Sequence, residues 1–481
     1  MKKYYHIFIC ILLFTVLGGC KKGLEESPRT FVSPATFFTN ADSYEQSVLG
    51  IYSSLRGLYS QNSMMMREMF SDIYGTPGNA EQAQATYENN HQPFFYNVRG
   101  EWSNDYNIIK NANFVLNYLP SATLISEAKK NALTAEARFL RSFAYFQLVQ
   151  FYGDVPLRTT PLTDYAQAQS PRVAQADIYK FILEDLTFAE ANLPETAPQQ
   201  GRVYRLVATA LLAKVYLTMA GYPLKQTQYF QNAKEKSLAV INSGKFQLVD
   251  DYSKLFHNVS YTPESIWEQL FRADLGGNGL QGSTSTAPGF VPVLLPATSF
   301  INSFATGDQR KAWGILQSYK APNGATLVPF FQKFVNTSAI DAGTTPSGII
   351  NAYSIPFVRL GEMYLIAAEA ENEINGPANA YVYINRIRLR ARINKSDAST
   401  VPDLVGLTKE TFRAAVYMER KWELHLEGST WFDLKRTETL SRIQAMRAPN
   451  LVHPIGTYNY TWYVPDNEIL NNNIPQNPAY Q

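Results

Sequence analysis

The sequence predicts a mainly α-helical protein in which paired helices form a scaffold that carries one large, irregular, loop-rich insertion. Apolar residues recur with a period of 3.6 over several long segments, which is typical of helices with a buried face. Residues 245–355 are instead rich in Gly, Pro, Ser, Thr and Asn, a composition that indicates loops and a few short strands. We therefore predict a helical scaffold at 41–244 and 356–444, with the insertion at 245–355.

The first segment is typical of a secretory signal. Two lysines precede an apolar run at 4–17, which is shorter than the about 20 residues that span a bilayer. The run ends in Leu17-Gly18-Gly19-Cys20, which resembles the lipobox of bacterial lipoproteins. We predict a signal peptide at 1–19, a lipidated leader at 20–40 and acylation of Cys20, which would hold the protein at a membrane by its lipid anchor.

Composition excludes several classes of protein. Loss of the two signal lysines would lower the basic count from 43 to 41, which equals the 41 acidic residues. A chain without basic excess is not expected to bind nucleic acid as a general partner. Only Cys20 would remain after removal of Cys10 with the signal, so a disulfide framework and thiolate metal sites are excluded.

The helices can be located in order along the chain. The clearest covers 126–152, where Leu133, Leu140 and Leu148 follow one face and aromatic residues form a second apolar stripe. A helix that is apolar on two sides is buried between neighbours. Gly153 is expected to end it. The other predicted helices start near Asp42 and Trp102 or cover 174–193, 203–221, 227–243, 356–373, 377–393 and 409–427.

Two helix pairs share a layout of small and aromatic residues. The segments 203–221 and 227–243 form one pair, and 356–373 and 377–393 form the other. Small residues at helical spacing allow two helices to approach closely. The arrangement resembles tetratricopeptide stacking, although the full repeat signature is absent, and it predicts tetratricopeptide-like helix pairs in the scaffold.

Five segments together carry a resemblance to a known family. In chain order they are Ala137-Arg138-Phe139-Leu140-Arg141 with Tyr152-Gly153-Asp154-Val155-Pro156; Arg359-Leu360-Gly361-Glu362-Met363-Tyr364; Ile384-Asn385-Arg386-Ile387-Arg388; Phe432-Asp433-Leu434-Lys435-Arg436; and Gln476-Asn477-Pro478-Ala479-Tyr480. With the lipobox, they resemble the SusD-like (RagB/SusD) outer-membrane lipoproteins of Bacteroidetes, in the family's own order. The resemblance implies a lipoprotein anchored in the outer membrane and exposed at the cell surface. Such a protein captures glycans, or sometimes peptides, for a partner SusC-like TonB-dependent transporter.

Carboxylates on one predicted helix have two interpretations. Glu419, Glu423 and Glu427 follow each other at intervals of four residues and share a helix face. They could form a catalytic acid/base pair, or a structural ion network that nearby arginines such as Arg386, Arg388 or Arg420 compensate. We favour the network, because glycosidases need paired carboxylates that face an open cleft.

Catalytic and metal-binding motifs are absent from the sequence. The four histidines outside the predicted signal show no helical zinc or di-iron spacing, and no nucleophile elbow is found. We expect no metal, no cofactor and no enzyme activity, with a hydrolase built on scattered carboxylates as the least favoured alternative.

Ligand contacts are expected in two loop-rich zones, since loops bring side chains to solvent. Aromatic faces stack on sugar rings, while amides, carboxylates and arginines bind hydroxyl groups. The candidates are Asp72, Tyr74, Trp102, Asn104, Arg310 and Trp313. Trp102 could equally be a core residue, and Trp267 is expected in the core. We predict that Trp313→Ala weakens ligand binding without loss of fold.

Three functions therefore remain open at the level of sequence. The first is a capture subunit for glycans or, within the same class, peptides. The second is a structural lid of the transporter with little affinity of its own, and the third is a hydrolase. Exposed aromatic residues favour the first, whereas an apolar surface matched only to a barrel favours the second.

Overall fold

The computed structural model describes residues 37–58, 61–68, 70–75, 96–162, 169–257, 260–272, 274, 277–278, 280, 294–320, 324, 326–327, 329–336, 352–447 and 454–480. The predicted signal peptide, Cys20 and most of the leader lie outside these ranges. The helices are α1 (Ala41–Ser54), α2 (Gln61–Glu68), α3 (Tyr96–Tyr118), α4 (Glu127–Tyr152), α5 (Gln175–Asn192), α6 (Arg205–Ala220), α7 (Tyr229–Ile241), α8 (Thr298–Ser303), α9 (Gln309–Ala312), α10 (Leu360–Asn375), α11 (Tyr381–Ala391), α12 (Lys409–Leu424), α13 (Thr430–Arg436), α14 (Ser441–Arg447) and α15 (Asp466–Asn472).

The strands are short and form four antiparallel two-stranded sheets. They are β1 (Val155–Pro156) with β2 (Arg172–Val173), β3 (Ser265–Gln269) with β8 (Ile355–Arg359), β4 (Ile315–Leu316) with β7 (Phe330–Phe331), and β5 (Tyr319–Lys320) with β6 (Thr326–Leu327). The described protein is therefore mainly helical, as the sequence predicts.

Helix α4 is buried on all sides, as its two apolar stripes predict. Ser126 caps its start, where the side-chain oxygen accepts a hydrogen bond from the Lys129 amide at 3.2 Å. Gly153 ends it with a φ of 69°, a left-handed conformation that suits glycine. The helix packs between α3 and α5, so it positions the segments on both sides of it.

The predicted helix pairs are confirmed. Helix α6 packs against α7, and α10 packs against α7, α11 and α12. The interface of α10, α11 and α12 is a cluster of fully buried apolar side chains, among them Leu365, Ile384, Ile387, Phe412 and Val416. Burial of such side chains provides about 1.5–3 kcal/mol each, so packing rather than helix propensity stabilises these pairs.

One predicted helix boundary was wrong. Residues 356–359 belong to strand β8 rather than to a helix, and α10 begins only at Leu360. Strand β8 pairs with β3, whose Trp267 is in the core as predicted. The indole packs against Phe143 and Phe357, with ring centroids 5.0 Å and 4.2 Å away. A wholly buried strand and a buried helix show the same apolar run, which explains the error.

The insertion differs from the expectation in one respect. Its described part contains the predicted short strands, but also the two short helices α8 and α9. Outside the insertion, the structure also contains the short helix α2, and α3 begins at Tyr96, before the start that we predicted near Trp102.

The chain divides into two compact units, residues 1–46 and 47–481. Everything below concerns the second unit. Among the residues that the structure describes, no helix has both the length and the apolar character required to cross a membrane.

Candidate ligand-binding site

The two predicted ligand-binding zones meet in the structure. Tyr74 and Pro296 form an antiparallel bridge. The Gly75 amide donates to the Leu295 carbonyl at 2.9 Å, and the Ala297 amide donates to the Ile73 carbonyl at 2.9 Å. Residues that are far apart in sequence are thus joined through their backbones, and this junction fixes where the neighbouring side chains point.

Two candidate ligand contacts prove to be interior residues. Tyr74 is 1% exposed, and its hydroxyl donates to Glu68 at 2.7 Å. Arg310 is fully buried and binds Asp308 and Glu419 at 2.7 Å and 2.6 Å. Both side chains are occupied by internal partners, so their assignment as surface ligand contacts is corrected: they support the fold.

Asp72 and Asn104 are more accessible but serve packing in this structure. Asp72 forms an ion pair with Lys421 on α12, and within the described residues its second carboxylate oxygen has no hydrogen-bond partner. Asn104 packs against Gly57, where a β-carbon would lie only 2.7 Å from its side chain. Among the described residues, neither Asp72 nor Asn104 lines the groove beside α3 that is described below.

Trp313 is half-buried at the end of α9. Its ring stacks on Phe256, with centroids 6.1 Å apart and an interplanar angle of 13°, and it meets His257 edge-on at 5.1 Å. Tyr252 is a third aromatic neighbour, with ring centroids 6.0 Å apart. These contacts hold the indole in place, while the residue stays partly exposed. The role of Trp313 as a ligand contact therefore stays a prediction.

The three glutamates of α12 and the turn after it belong to a buried ion network, as we favoured. Glu423 receives hydrogen bonds from Arg359 and Arg310 at 2.6 Å and 3.2 Å, and Arg359 also binds Glu427 at 2.7 Å. The network joins five acids to five bases: Glu264, Asp308, Glu419, Glu423 and Glu427 with Arg310, Lys333, Arg359, Arg388 and Arg390.

The partners of this network were only partly predicted. Arg388 binds Glu419 at 2.7 Å, as expected. Arg420 instead pairs with Asp433 at 2.8 Å, and no contact between Arg386 and these glutamates is found in the described residues. The remaining bases come from the insertion and from β8 and α11, whose spatial proximity the sequence does not reveal.

Electrostatics confirm that these carboxylates are structural. Burial alone would raise the pKa of Glu423, but the charges of Arg390, Arg359 and Arg310 lower it well below its ordinary value. Glu423 is therefore a permanent anion among cations. A catalytic acid needs an elevated pKa, so this arrangement does not suit proton transfer.

A solvent-accessible groove lies beside α3. It has a free volume of about 380 Å³ and is bounded by one face of α3, by the segment after β1 and by α15. The lining residues that matter here are Trp102, Tyr106, Asn107, Lys110, Asn113, Arg158, Leu162, Glu468 and Asn472. Of the sequence-predicted candidates, only Trp102 lines this groove.

Aromatic rings form the floor of the groove. Trp102 is only 3% exposed and supports the floor from below: it packs against Tyr106 and Tyr152, with ring centroids 5.1 Å and 4.9 Å away. The Tyr106 hydroxyl donates to the Pro156 carbonyl at 2.7 Å, and the Arg158 guanidinium lies 5.7 Å from its ring centroid. These contacts hold the floor rigid, and Tyr106 offers the accessible part of the aromatic surface.

Polar side chains line the walls above this floor. Asn107 and Lys110 are exposed on α3, and Lys110 Nζ donates to Asn107 at 3.2 Å. Glu468 and Asn472 occupy the opposite wall on α15, where the Asn472 amide donates to the carboxylate. Amides, a carboxylate and cations around an aromatic floor match the hydrogen-bonding needs of a polyhydroxylated ligand.

The sequence analysis missed most of this groove. Trp102, Tyr106, Ile109 and Asn113 recur at helical spacing, a signal that could have marked one face of α3 as a unit. No comparable signal connects that face to Glu468 or Asn472, because α15 lies more than 350 residues later in the chain. Among the described residues, no group of three His, Cys, Asp or Glu side chains could hold a metal ion.

Comparison with known proteins identifies two family profiles. The profile described as "SusD family" matches residues 315–480, and the profile described as "Starch-binding associating with outer membrane" matches residues 24–217. The α3 wall of the groove lies in the second match and the α15 wall in the first. Both walls are therefore built from segments that the profiles recognise.

Full-length relatives agree with the profiles. One SusD-like protein of Formosa agariphila is 28% identical over 497 residues, covering 90% of each chain, and another from the same organism is 28% identical over 530 residues, covering 100% of each. A SusD superfamily crystal structure from Parabacteroides distasonis has a TM-score of 0.77 at 23% identity and covers 90% of this chain and 99% of its own.

A further solved structure, titled a laminarin-binding SusD-like protein, has a TM-score of 0.73 at 24% identity and covers 91% of this chain and 99% of its own. At such identity the solved structures establish the fold only. The profiles, the full-length relatives and the fold agree, and we conclude that this chain belongs to the SusD-like family.

Proposed function

We propose that this protein captures glycans and binds them in the groove between α3 and α15. The observation that carries the proposal is the combination of an aromatic floor, at Trp102 and Tyr106, with amide groups on both walls and a carboxylate on the α15 wall. A sugar ring presents apolar C–H faces and polar hydroxyl edges at the same time. A groove with one apolar surface and convergent polar groups is suited to both.

The similarities support a glycan rather than another ligand class. One matching profile is described as starch-binding, and one solved relative in fold is titled laminarin-binding. Starch and laminarin are both neutral glucans. We therefore infer that a neutral glucan or a related polysaccharide is the ligand to test first, without turnover of the bound chain.

The remaining parts of the proposal concern the place of action. We propose that residues 1–19 are a signal peptide, that Cys20 carries lipid, and that 41–481 act as one SusD-like domain. One profile is described as associating with the outer membrane, which supports an anchored protein at that surface. Such a protein would pass its ligand to a SusC-like TonB-dependent transporter.

The experiment is a binding survey by affinity electrophoresis. Purified protein is run through gels that contain laminarin, starch, another polysaccharide or none, and oligopeptides are titrated by calorimetry. Retardation by one glycan class supports the proposal and names that class. Binding of peptides alone would transfer the proposal to peptide capture, and binding of nothing would favour a structural lid.

A further inference from the structure

A second cavity lies on the other side of the C-terminal end of α4. It has a free volume of about 150 Å³ and is bounded by α4, α5, α6, α13 and the segment around Tyr460. It shares no lining residue with the groove beside α3. Its walls include Gln150, Tyr179, Thr218, Tyr222, Lys435 and Tyr460.

The charge of Lys435 is not compensated within the described residues. The side chain is 8% exposed, Nζ donates to the Gln150 carbonyl, and the Trp431 ring centroid lies 4.3 Å from Nζ. No carboxylate of the described residues lies within 4.0 Å of Nζ. The charge of the next residue, Arg436, is compensated, because its guanidinium group binds both Glu369 and Asp433.

An unpaired buried ammonium is unfavourable, because burial removes its hydration and no opposite charge replaces it. The Gln150 carbonyl and the rings of Trp431 and Phe432 offset only part of this cost. Loss of the proton or binding of an anion from solution would each remove the rest. Burial lowers the pKa of Lys435 to about 7, so both forms are accessible near neutral pH. A bound anion would favour the charged form.

The other titratable groups on the cavity wall do not supply that anion. Arg436 is a cation held by its own carboxylates, and burial raises the pKa of Tyr179 and of Tyr460 above the ordinary value of a phenol, so neither supplies a negative charge. Phenol and threonine hydroxyls are neutral hydrogen-bond donors. The described wall therefore contains two cations, Lys435 and Arg436, and neutral donors, but no acid.

We propose that this cavity binds a small oxyanion, such as a carboxylate, sulfate or phosphate group, through the ammonium group of Lys435. The volume accommodates several water-sized groups, which is sufficient for an oxyanion. The group could come from a free inorganic ion or from an acidic sugar, and both present the same charged oxygens to Nζ.

The test is the thermal stability of the purified protein at pH 6.5 in sodium sulfate against sodium chloride at equal ionic strength. A parallel titration compares glucuronate with glucose, which separates an acidic sugar from a free ion as the source. We expect saturable stabilisation by sulfate, by glucuronate or by both, and weaker binding at pH 8.5, where Lys435 loses its proton.

Lys435→Met should weaken this binding by about 10-fold or more, the factor that corresponds to a lost charge-assisted hydrogen bond. Lys225→Met is the control, since Lys225 is an exposed lysine whose Nζ lies 5.7 Å from the Tyr222 ring centroid. It should bind as the unchanged protein does. Equal binding by the Lys435 variant would overturn the proposal, as would the absence of any effect beyond that of chloride.

A crystal of the unchanged protein soaked in selenate provides a second measurement that does not depend on a variant. An anomalous peak within hydrogen-bond distance of Lys435 Nζ is expected. An empty cavity at saturating selenate, together with no response to glucuronate, would contradict the proposal even if Lys435→Met failed to fold.

Discussion

Asp105 is a buried acid whose two carboxylate oxygens have no hydrogen-bond partner in the described part of the chain. It lies one helical turn after Glu101 on α3, and Glu101 is already paired with Arg67. Burial, reinforced by the charge of Glu101, raises the pKa of Asp105 well above its ordinary value of 3.8. One guanidinium group therefore faces two acids, and burial without a hydrogen-bond partner favours the neutral form of Asp105.

We predict that Asp105→Asn increases stability at neutral and higher pH. The folded protein holds a proton that the unfolded chain has already lost above pH 3.8. The free energy of unfolding of the unchanged protein therefore falls, by at most about 1.4 kcal/mol per pH unit, as the pH rises from that value towards the raised pKa. Asparagine does not ionise, so the free energy of unfolding of the variant does not fall with pH for this reason.

Urea unfolding between pH 5 and pH 9 measures the effect. Asp250→Asn is the matched control, because Asp250 is exposed and should leave the pH dependence unchanged. Parallel pH profiles for the Asp105 variant and the unchanged protein would show that Asp105 is ionised in the folded state.

We predict that Glu423→Gln strongly destabilises the protein, by about 3–5 kcal/mol, because several buried guanidinium groups lose their shared anion. Glu195→Gln is the control: Glu195 pairs with Arg205 at 2.5 Å, but its side chain is 67% exposed, and exposed pairs contribute about 0–1 kcal/mol. Chemical denaturation of both variants provides the comparison. Similar small losses for both would mean that the buried network adds little to stability.

The ion network shows how far single residues can be predicted from sequence. The four-residue spacing places Glu419, Glu423 and Glu427 on one helix face, and we favoured a structural ion network for them. The structure confirms this network. Arg310 was misassigned because its burial depends on α12, more than 100 residues later. An arginine in a loop-rich segment looks the same in sequence whether its partner is a sugar or a distant carboxylate.

At the level of elements, α12 connects local sequence signals to the buried network. Thr408 and Thr411 form a reciprocal capping box: the Thr408 side chain accepts from the Thr411 amide at 3.3 Å, and the Thr411 hydroxyl accepts from the Thr408 amide at 2.9 Å. The helix then presents Phe412 and Val416 to α10 and α11, and Glu419 and Glu423 to the arginines.

We predict that Thr408→Ala lowers the free energy of unfolding by about 1 kcal/mol, the usual cost of a lost N-cap. Thr408→Ser keeps the hydroxyl group and should cost much less. Both substitutions are at an exposed position, so thermal and urea unfolding report the cap rather than core packing. Equal losses in the two variants would mean that the hydroxyl group is not what stabilises the start of α12.

Element type was predictable wherever an apolar pattern was long. Helix α4 was predicted within one residue because two apolar stripes and the stop at Gly153 agree. The start of α10 was missed because β8 is buried along its whole length and its run of apolar residues continues into the helix. The hydrophobic pattern reports burial there, and it does not report which backbone conformation is buried.

The whole molecule brings distant segments of the chain to one groove. Its floor and one wall come from α3, the opposite wall comes from α15, and the segment after β1 also lines it. The sequence analysis expected ligand contacts in loop-rich zones and named Trp102 as one candidate, whereas in the structure Trp102 lines the groove from helix α3. The position of α15 relative to α3 depends on how the intervening helices and strands pack. No local sequence pattern encodes that position.

The central claim is that the groove between α3 and α15 binds glycan, and the most direct test is a calorimetric titration with laminarin or with whichever glycan the gels identify. We predict that Asn107→Ala weakens binding about 5- to 10-fold, as expected for the loss of a neutral hydrogen bond. Asn117→Ala, an exposed asparagine on α3 that does not line the groove, should leave the affinity unchanged. Equal affinity for both variants and the unchanged protein would place the glycan elsewhere and contradict the account.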